Sequence, residues 1–226
     1  MLRIRFHGRG GQGMKTASRI LGSAAFHAGL VVQDSPVYGA ERRGAPMAAF
    51  TRIARESIHE RGAIARPDLV VVADDSLLSD PAAQPLAGCD GASTVLVNST
   101  RDETALRSVA GSIARLLVAD FTTLVLQTTQ TLASLSTALG VIAARLVGLT
   151  LADALAGLDE ELGVTRLTDQ RKAANLQLAQ AAYALADSWT TVQERANELE
   201  PCVQSAKPMF LPGWPHRGKL LAEGLS

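Results

Sequence analysis

Residues 7 to 13 read His7-Gly8-Arg9-Gly10-Gly11-Gln12-Gly13, four glycines within six residues, directly after the run Leu2-Arg3-Ile4-Arg5-Phe6. Gly8-x-Gly10-x-x-Gly13 has the spacing of a dinucleotide fingerprint, and Asp34 follows about 20 residues on, where a ribose-binding acid would stand. Glycines there permit a tight turn and close backbone approach, and the following helix offers free N–H groups to an anion. Arg9 and Lys15 add positive charge. The same spacing also serves a loop that receives a partner's backbone, or a bare structural turn. Gln12 and Arg9 place polar side chains in the loop, suited to specific hydrogen bonds. The Walker pattern G-x-x-x-x-G-K-[ST] is not matched. From spacing alone a nucleotide or CoA-like anion, a protein contact and a plain turn all stay open.

A second chemical stretch is Ser35-Pro36-Val37-Tyr38-Gly39-Ala40-Glu41-Arg42-Arg43-Gly44-Ala45-Pro46. Glu41, Arg42 and Arg43 supply a carboxylate and two guanidiniums fit for bidentate pairing with phosphate or carboxylate. The alternative is a solvated charged loop. Asp74-Asp75 resembles a metal carboxylate pair but suits a helix N-cap before Ser76 better. His7, His27, His59 and His216 show no i, i+4 pair, so no metal site is expected. Cys89 and Cys202 are too few for an iron–sulfur cluster or a Cys-only zinc site and read as reduced thiols. Ser35 and Ser99 lie in no nucleophile-elbow context, so no catalytic residue is assigned.

The elements that must hold these residues follow from hydrophobic periodicity. Leu2–His7 reads as a strand, Met14–Ala28 as an amphipathic helix stopped by Gly29, and Leu30–Asp34 as a second strand. Ser35–Pro46 reads as a loop, followed by strands at Met47–Ile53 and Ser57–His59. Leu69–Asp74, Ser93–Asn98 and Ala114–Ala119 are continuous apolar runs of the kind buried on both faces of a parallel sheet. Ser76–Leu86 is a helix or loop between two of them. Beyond Thr122 the pattern is helical, over Thr122–Val147, Leu151–Leu162 and Thr168–Ala186. Gly148 and Gly163 mark the joints, and Gly140 is expected to break the first piece. Strands alternating with helices predict an α/β fold: a doubly wound, mostly parallel Rossmann-like sheet with helices on both faces, a helical C-terminal part and an extended proline-rich arm.

At 226 residues the chain fits one large domain with an appendage, taken as 1–187 and 188–226. Equal numbers of acidic and basic residues, 22 each, remove the electrostatic case for nucleic acid. No apolar run of membrane-spanning length and no leader pattern is present, so a cytoplasmic protein is expected. In residues 188–226, Pro201, Pro208, Pro212 and Pro215 separate Met209, Phe210, Leu211 and Trp214. Such a segment builds no core of its own and is expected to be an arm packing on partner subunits.

Gly8-Arg9-Gly10-Gly11-Gln12-Gly13 after strand one and Tyr38-Gly39-Ala40-Glu41-Arg42-Arg43-Gly44 after strand two, followed by Arg66-Pro67-Asp68-Leu69-Val70-Val71-Val72-Ala73, resemble the gamma subunit of the thiamin-dependent 2-oxoacid:acceptor oxidoreductases. The resemblance covers roughly residues 1–187. It implies a multi-subunit enzyme that decarboxylates a 2-oxoacid with CoA to acyl-CoA and CO2, passing electrons to ferredoxin or NAD. Thiamin diphosphate, Mg2+ and iron–sulfur clusters are then expected on alpha, beta and ferredoxin-like delta partners, and none on this chain, with CoA nearby. Gly8, Arg9, Gly10, Gly11, Gln12, Gly13, Tyr38, Glu41, Arg42 and Arg43 become interface or CoA-proximal residues of a non-catalytic scaffold. A free-standing NAD(P)-binding Rossmann oxidoreductase domain, with Asp34 on the ribose, is the alternative.

Overall fold

A computed structural model describes residues 1–37, 44–111, 115–164, 167–189 and 192. Six strands form one sheet: β1 (Leu2–Arg9), β2 (Val31–Val37), β3 (Pro46–Ala54), β4 (Leu69–Val72), β5 (Thr94–Asn98) and β6 (Arg115–Ala119). Their order is β2-β3-β1-β4-β5-β6. β1, β4, β5 and β6 run parallel, whereas β3 lies antiparallel between β1 and β2. The sheet is therefore mixed. The parallel half carries the expected continuous apolar strands, Leu69–Val72 and Thr94–Asn98, buried throughout.

The helices are α1 (Met14–His27), α2 (Glu103–Ala110), α3 (Phe121–Thr129), α4 (Leu135–Leu146), α5 (Leu151–Gly163) and α6 (Asp169–Leu185). Alternation along β1 sends Leu2, Ile4 and Phe6 to one face, into a core shared with α1, α3, α4, α5 and α6. The other face is thinner: Val70, Val72, Val95 and Val97 pack there against Leu77, Leu106 and Leu116. Among the described residues no helix is long and apolar enough to cross a membrane.

The sequence-based elements differ from the structure at particular points. β1 runs on through Gly8 and Arg9, which pair with Met47 and Pro46. The predicted loop Ser35–Pro46 is shorter, since β2 continues to Val37 and β3 starts at Pro46. Ser57–His59 is not a strand. Only Asp75–Ser79 is helical after β4, as a 3-10 turn, and α2 arises where no helix is predicted, capped by Asp102 accepting from the Ala105 N–H at 2.7 Å.

The long helical stretch breaks at Gln130, whose φ is 57°, and not at Gly140. Gly140 lies within α4, where a Cβ would come within 2.9 Å of the Ala17 carbonyl oxygen and of the Ile20 Cβ on α1. A residue that lowers helix propensity is kept there because two helices touch. Of the 188–226 arm only Ser188, Trp189 and Val192 are described, and Trp189 and Val192 pack against the chain's own core.

Candidate functional site at the glycine loop

The glycine loop joins β1 to α1 at the carboxyl edge of the sheet. Two backbone bonds hold it to the start of the β3 side: Gly10 N–H to the Ala45 carbonyl at 2.8 Å, and Gly44 N–H to the Gly10 carbonyl at 3.0 Å. Two of the three fingerprint glycines serve internal packing. A Cβ on Gly8 would lie 2.4 Å from the Met14 Cγ. One on Gly13 would lie 2.9 Å from the Ser136 Cβ of α4, and Gly13 adopts φ 77° as the N-cap of α1, with no side chain capping that helix. Gly11, at φ 99°, has open space around its missing Cβ.

The polar side chains of the loop are held by the chain itself. The Gln12 Oε1 accepts from the Arg9 N–H at 2.7 Å, and its amide reaches Asp74 at 3.5 Å. The Arg9 guanidinium donates to the Ser76 hydroxyl at 2.8 Å and pairs with Asp74 at 3.4 Å and Asp80 at 3.6 Å. Burial opposes the charge on Asp74. The Ser76 hydroxyl and N–H, with Arg9 and Gln12, outweigh it and hold the carboxyl below its ordinary value. Asp74 is also the N-cap of the 3-10 turn, accepting from the Ser76 N–H at 3.0 Å, as its sequence context predicts.

A cleft of about 580 Å3 opens beside Gly11 and Gln12, across the carboxyl ends of β4, β5 and β6. Its described lining carries Asp74, Asp75 and Asp120 and no lysine or arginine. Asn98 closes its floor. The amide donates to the Ala73 carbonyl and the Thr122 hydroxyl, both at 2.9 Å, while the Phe121 and Thr122 N–H groups donate to its oxygen. Ser99 donates to Asp75 at 2.5 Å, and Asp120 caps α3 by accepting from the Thr123 N–H at 2.8 Å. Sequence reasoning missed Asn98 and Asp120 as cleft residues. Their signal is a polar residue at or just past the end of a buried apolar strand. Three carboxylates in the wall make the described cleft a poor cradle for phosphate.

Tyr38, Glu41, Arg42 and Arg43 lie outside the described residues. Their flanks are placed: Val37 pairs with Ala48, and Gly44 is bonded to Gly10 of the glycine loop.

Asp34 is not where a dinucleotide ribose would need it. β3 separates β2 from β1, and the register runs Asp34–Thr51–Ile4, four residues short of Gly8 along β1. At about 3.3 Å per residue this sets Asp34 on the order of 13 Å back from the loop along the strand direction. Its carboxylate accepts a hydrogen bond from Ser18 on α1, and burial raises its pKa against the pull of Ser18, Arg19 and Lys15. The Rossmann alternative is not favoured on this geometry.

Residues 3–185 match the pyruvate ferredoxin/flavodoxin oxidoreductase family. The chain belongs to that family. Pyruvate synthase subunit PorC of Thermotoga maritima is 48% identical over 124 residues, which make up 55% of this chain and 63% of that protein. The pyruvate/ketoisovalerate oxidoreductases common subunit gamma of Pyrococcus furiosus is 44% identical over 128 residues, 56% and 68% of the two chains. The alignments thus span about two thirds of these relatives. The crystal structure of the Thermotoga maritima subunit PORC superposes with a TM-score of 0.67 at 33% identity, covering 81% of this chain and 95% of that one. The 2-oxoglutarate:ferredoxin oxidoreductase of Magnetococcus marinus shares the fold at 16% identity and a TM-score of 0.64, covering 84% of this chain and 32% of that one. Within this family fold, the glycine loop is a corner bonded to Gly44 and Ala45 before β3 and packed closely against Ser136 of α4.

Proposed function

We propose that this chain is the gamma subunit of a 2-oxoacid:acceptor oxidoreductase that converts a 2-oxoacid and CoA to acyl-CoA and CO2. Membership of the family over residues 3–185 carries this reading. Pyruvate and branched-chain 2-oxoacids such as ketoisovalerate are the substrates that its relatives' names support. The chain's part is structural. Alpha and beta subunits and a ferredoxin-like delta subunit complete the assembly, in the cytoplasm. Thiamin diphosphate, held with Mg2+ on those partners, supplies the carbanion chemistry, and iron–sulfur clusters there take the electrons.

The glycine loop is the docking edge of this scaffold. Gly8, Gly10, Gly11 and Gly13 set its shape, and Arg9 and Gln12 stiffen it through bonds to the Asp74 cap. Stiffening before assembly lowers the ordering cost of binding. CoA passes beside the 38–44 stretch, where Tyr38 and Glu41 offer hydrogen-bonding groups and Arg42 and Arg43 supply the positive charge absent from the described part of the cleft lining.

Reconstitution tests the role. The complex with this chain should reduce its acceptor when given pyruvate or ketoisovalerate with CoA. The same complex with Arg9→Ala and Gln12→Ala should assemble more weakly with an unchanged KM for CoA. Full assembly and activity without the chain would refute the reading. A raised KM for CoA with normal assembly would instead assign Arg9 and Gln12 to CoA.

A further inference from the structure

The helical layer encloses a further cavity, of about 280 Å3, between α1, α4, α5, α6 and the 3-10 turn Leu132–Ser134. Ala133 of that turn lines both this cavity and the cleft beside Gly11, so the turn is the wall between them. Ligand pockets begin at roughly 300 Å3, so the size suits a small metabolite and not a nucleotide or CoA. The described lining sorts by depth. Ser134, Ser136, Thr137, Glu161 and Asn175 are buried and form the interior, whereas Thr16, Thr131 and Arg171 are exposed and form the mouth. Ile20, Leu162 and Leu167 supply an aliphatic side.

Two interior groups are incompletely satisfied. Glu161 is 8% exposed, and its Oε1 lies 3.1 Å from the Arg19 Nη2, while among the described residues no hydrogen bond reaches its Oε2. Burial pushes this carboxyl above its ordinary value, against the pull of Arg19 and with Glu160 and Asp34 adding to the push. Ser134 is 6% exposed, and among the described residues its hydroxyl makes no hydrogen bond. Buried polar groups are normally hydrogen-bonded, so both point to a partner within the cavity. Their neighbours are already ordered. The Thr137 hydroxyl donates to the Asn175 Oδ1 at 2.8 Å, and the Asn175 amide donates to the Arg171 carbonyl at 2.9 Å.

A carboxylate oxygen and a hydroxyl in the interior call for a charged group with several N–H donors. A guanidinium at the mouth calls for a carboxylate. The aliphatic side takes a short hydrocarbon chain. We propose that this cavity binds a small aliphatic amino acid, with its ammonium on Glu161 and Ser134 and its carboxylate towards Arg171. A 2-oxoacid brings no ammonium to Glu161, and a simple amine brings no carboxylate to Arg171. The site stands directly behind the glycine loop, since Ser136 both lines it and packs against Gly13. The proposal concerns this chain alone and does not depend on its assignment as a gamma subunit.

Titration calorimetry on the full chain tests it with alanine and valine, and with pyruvate, ketoisovalerate, ethylamine and isobutylamine as analogues that carry one charge. At least one of the two amino acids should bind at one site per chain, tighter than about 1 mM, and the analogues at least tenfold more weakly. Glu161→Gln keeps the shape of the side chain and should weaken that binding at least tenfold. Amide exchange gives a readout that needs no variant: the bound amino acid should slow residues 131–137 and 171–175 of the unaltered chain. Binding of neither amino acid, which means a cavity filled by water only, would overturn the proposal. So would equal binding of a one-charge analogue, unchanged affinity in Glu161→Gln, or exchange slowed only elsewhere in the chain.

Discussion

Strand β1 has two different interiors on the two sides of one backbone. Leu2, Ile4 and Phe6 enter an apolar core beneath α1, where burial is non-directional and stabilises through area alone. Arg5 and His7 face the other way and are nearly as buried, each 6% exposed, and Arg52 on β3 is 1% exposed. That side is held by direction. The Arg5 guanidinium donates to the carbonyls of Ile64, Pro85 and Ala87, and Arg52 donates to that of Gly62. The carbonyls belong to two long connections without a strand or an α-helix, residues 55–68 and 73–93. At β1 and β3, one face is shaped by what it excludes, and the other by a few buried cations that staple irregular chain to the sheet beside the smaller apolar cluster of Val70 and Val72.

The largest blow to this contrast is Arg5→Ala. It leaves the carbonyls of the buried Ile64 and Pro85, and that of the more exposed Ala87, without their donor and should cost about 4 kcal/mol, read from urea unfolding. Proteolysis between residues 60 and 90 should rise with it. A loss below about 1 kcal/mol would show that the face is held by something other than direction.

On the helical face the counterpart is Gly157→Ala. A Cβ there would stand 2.3 Å from the Ala24 nitrogen, so α1 and α5 must separate. The expected cost is about 3 kcal/mol, despite the gain in helix propensity. A neutral result would mean that these helices slide freely.

His7 sharpens the comparison through pH. Burial first, and then the neighbouring Arg5, lower its pKa from 6.5 to about 4. In the folded chain it is therefore neutral, while the unfolded chain takes up a proton below about pH 6.5. Its contribution is present above that value, falls as the pH drops towards 4, and levels off below it. The loss amounts to about 3 kcal/mol. His7→Leu should flatten this part of the stability profile between pH 6.5 and 4; an unchanged slope would point to other groups.

The smallest effect is Ile4→Val, about 1 kcal/mol by thermal unfolding, because the apolar side loses only one methylene. A cost as large as that of Arg5→Ala would erase the distinction between the faces.

What the sequence made legible follows the same division. Apolar runs such as Leu69–Val72 announce buried parallel strands because burial on both faces needs no polar partner. The glycine loop and the Asp74 cap were readable because backbone conformation and capping are local. The insertion of β3 between β1 and β2 was not, since strand order depends on pairings distant in sequence. That insertion removes Asp34 from the loop. Nor could spacing show that Gly140 accommodates α1, or that Arg5 collects three carbonyls 59 to 82 residues away. The acidic lining of the cleft arises from residues after two separate strands, β4 and β6, and only the fold assembles them.

Native mass spectrometry of the chain, purified anaerobically from its own cells, tests the central assignment most directly. The account predicts an assembly in which other chains carry thiamin diphosphate and iron–sulfur clusters, and which reduces an acceptor when given a 2-oxoacid and CoA. A lone chain that binds NADH at micromolar concentration and carries no such partners would contradict it.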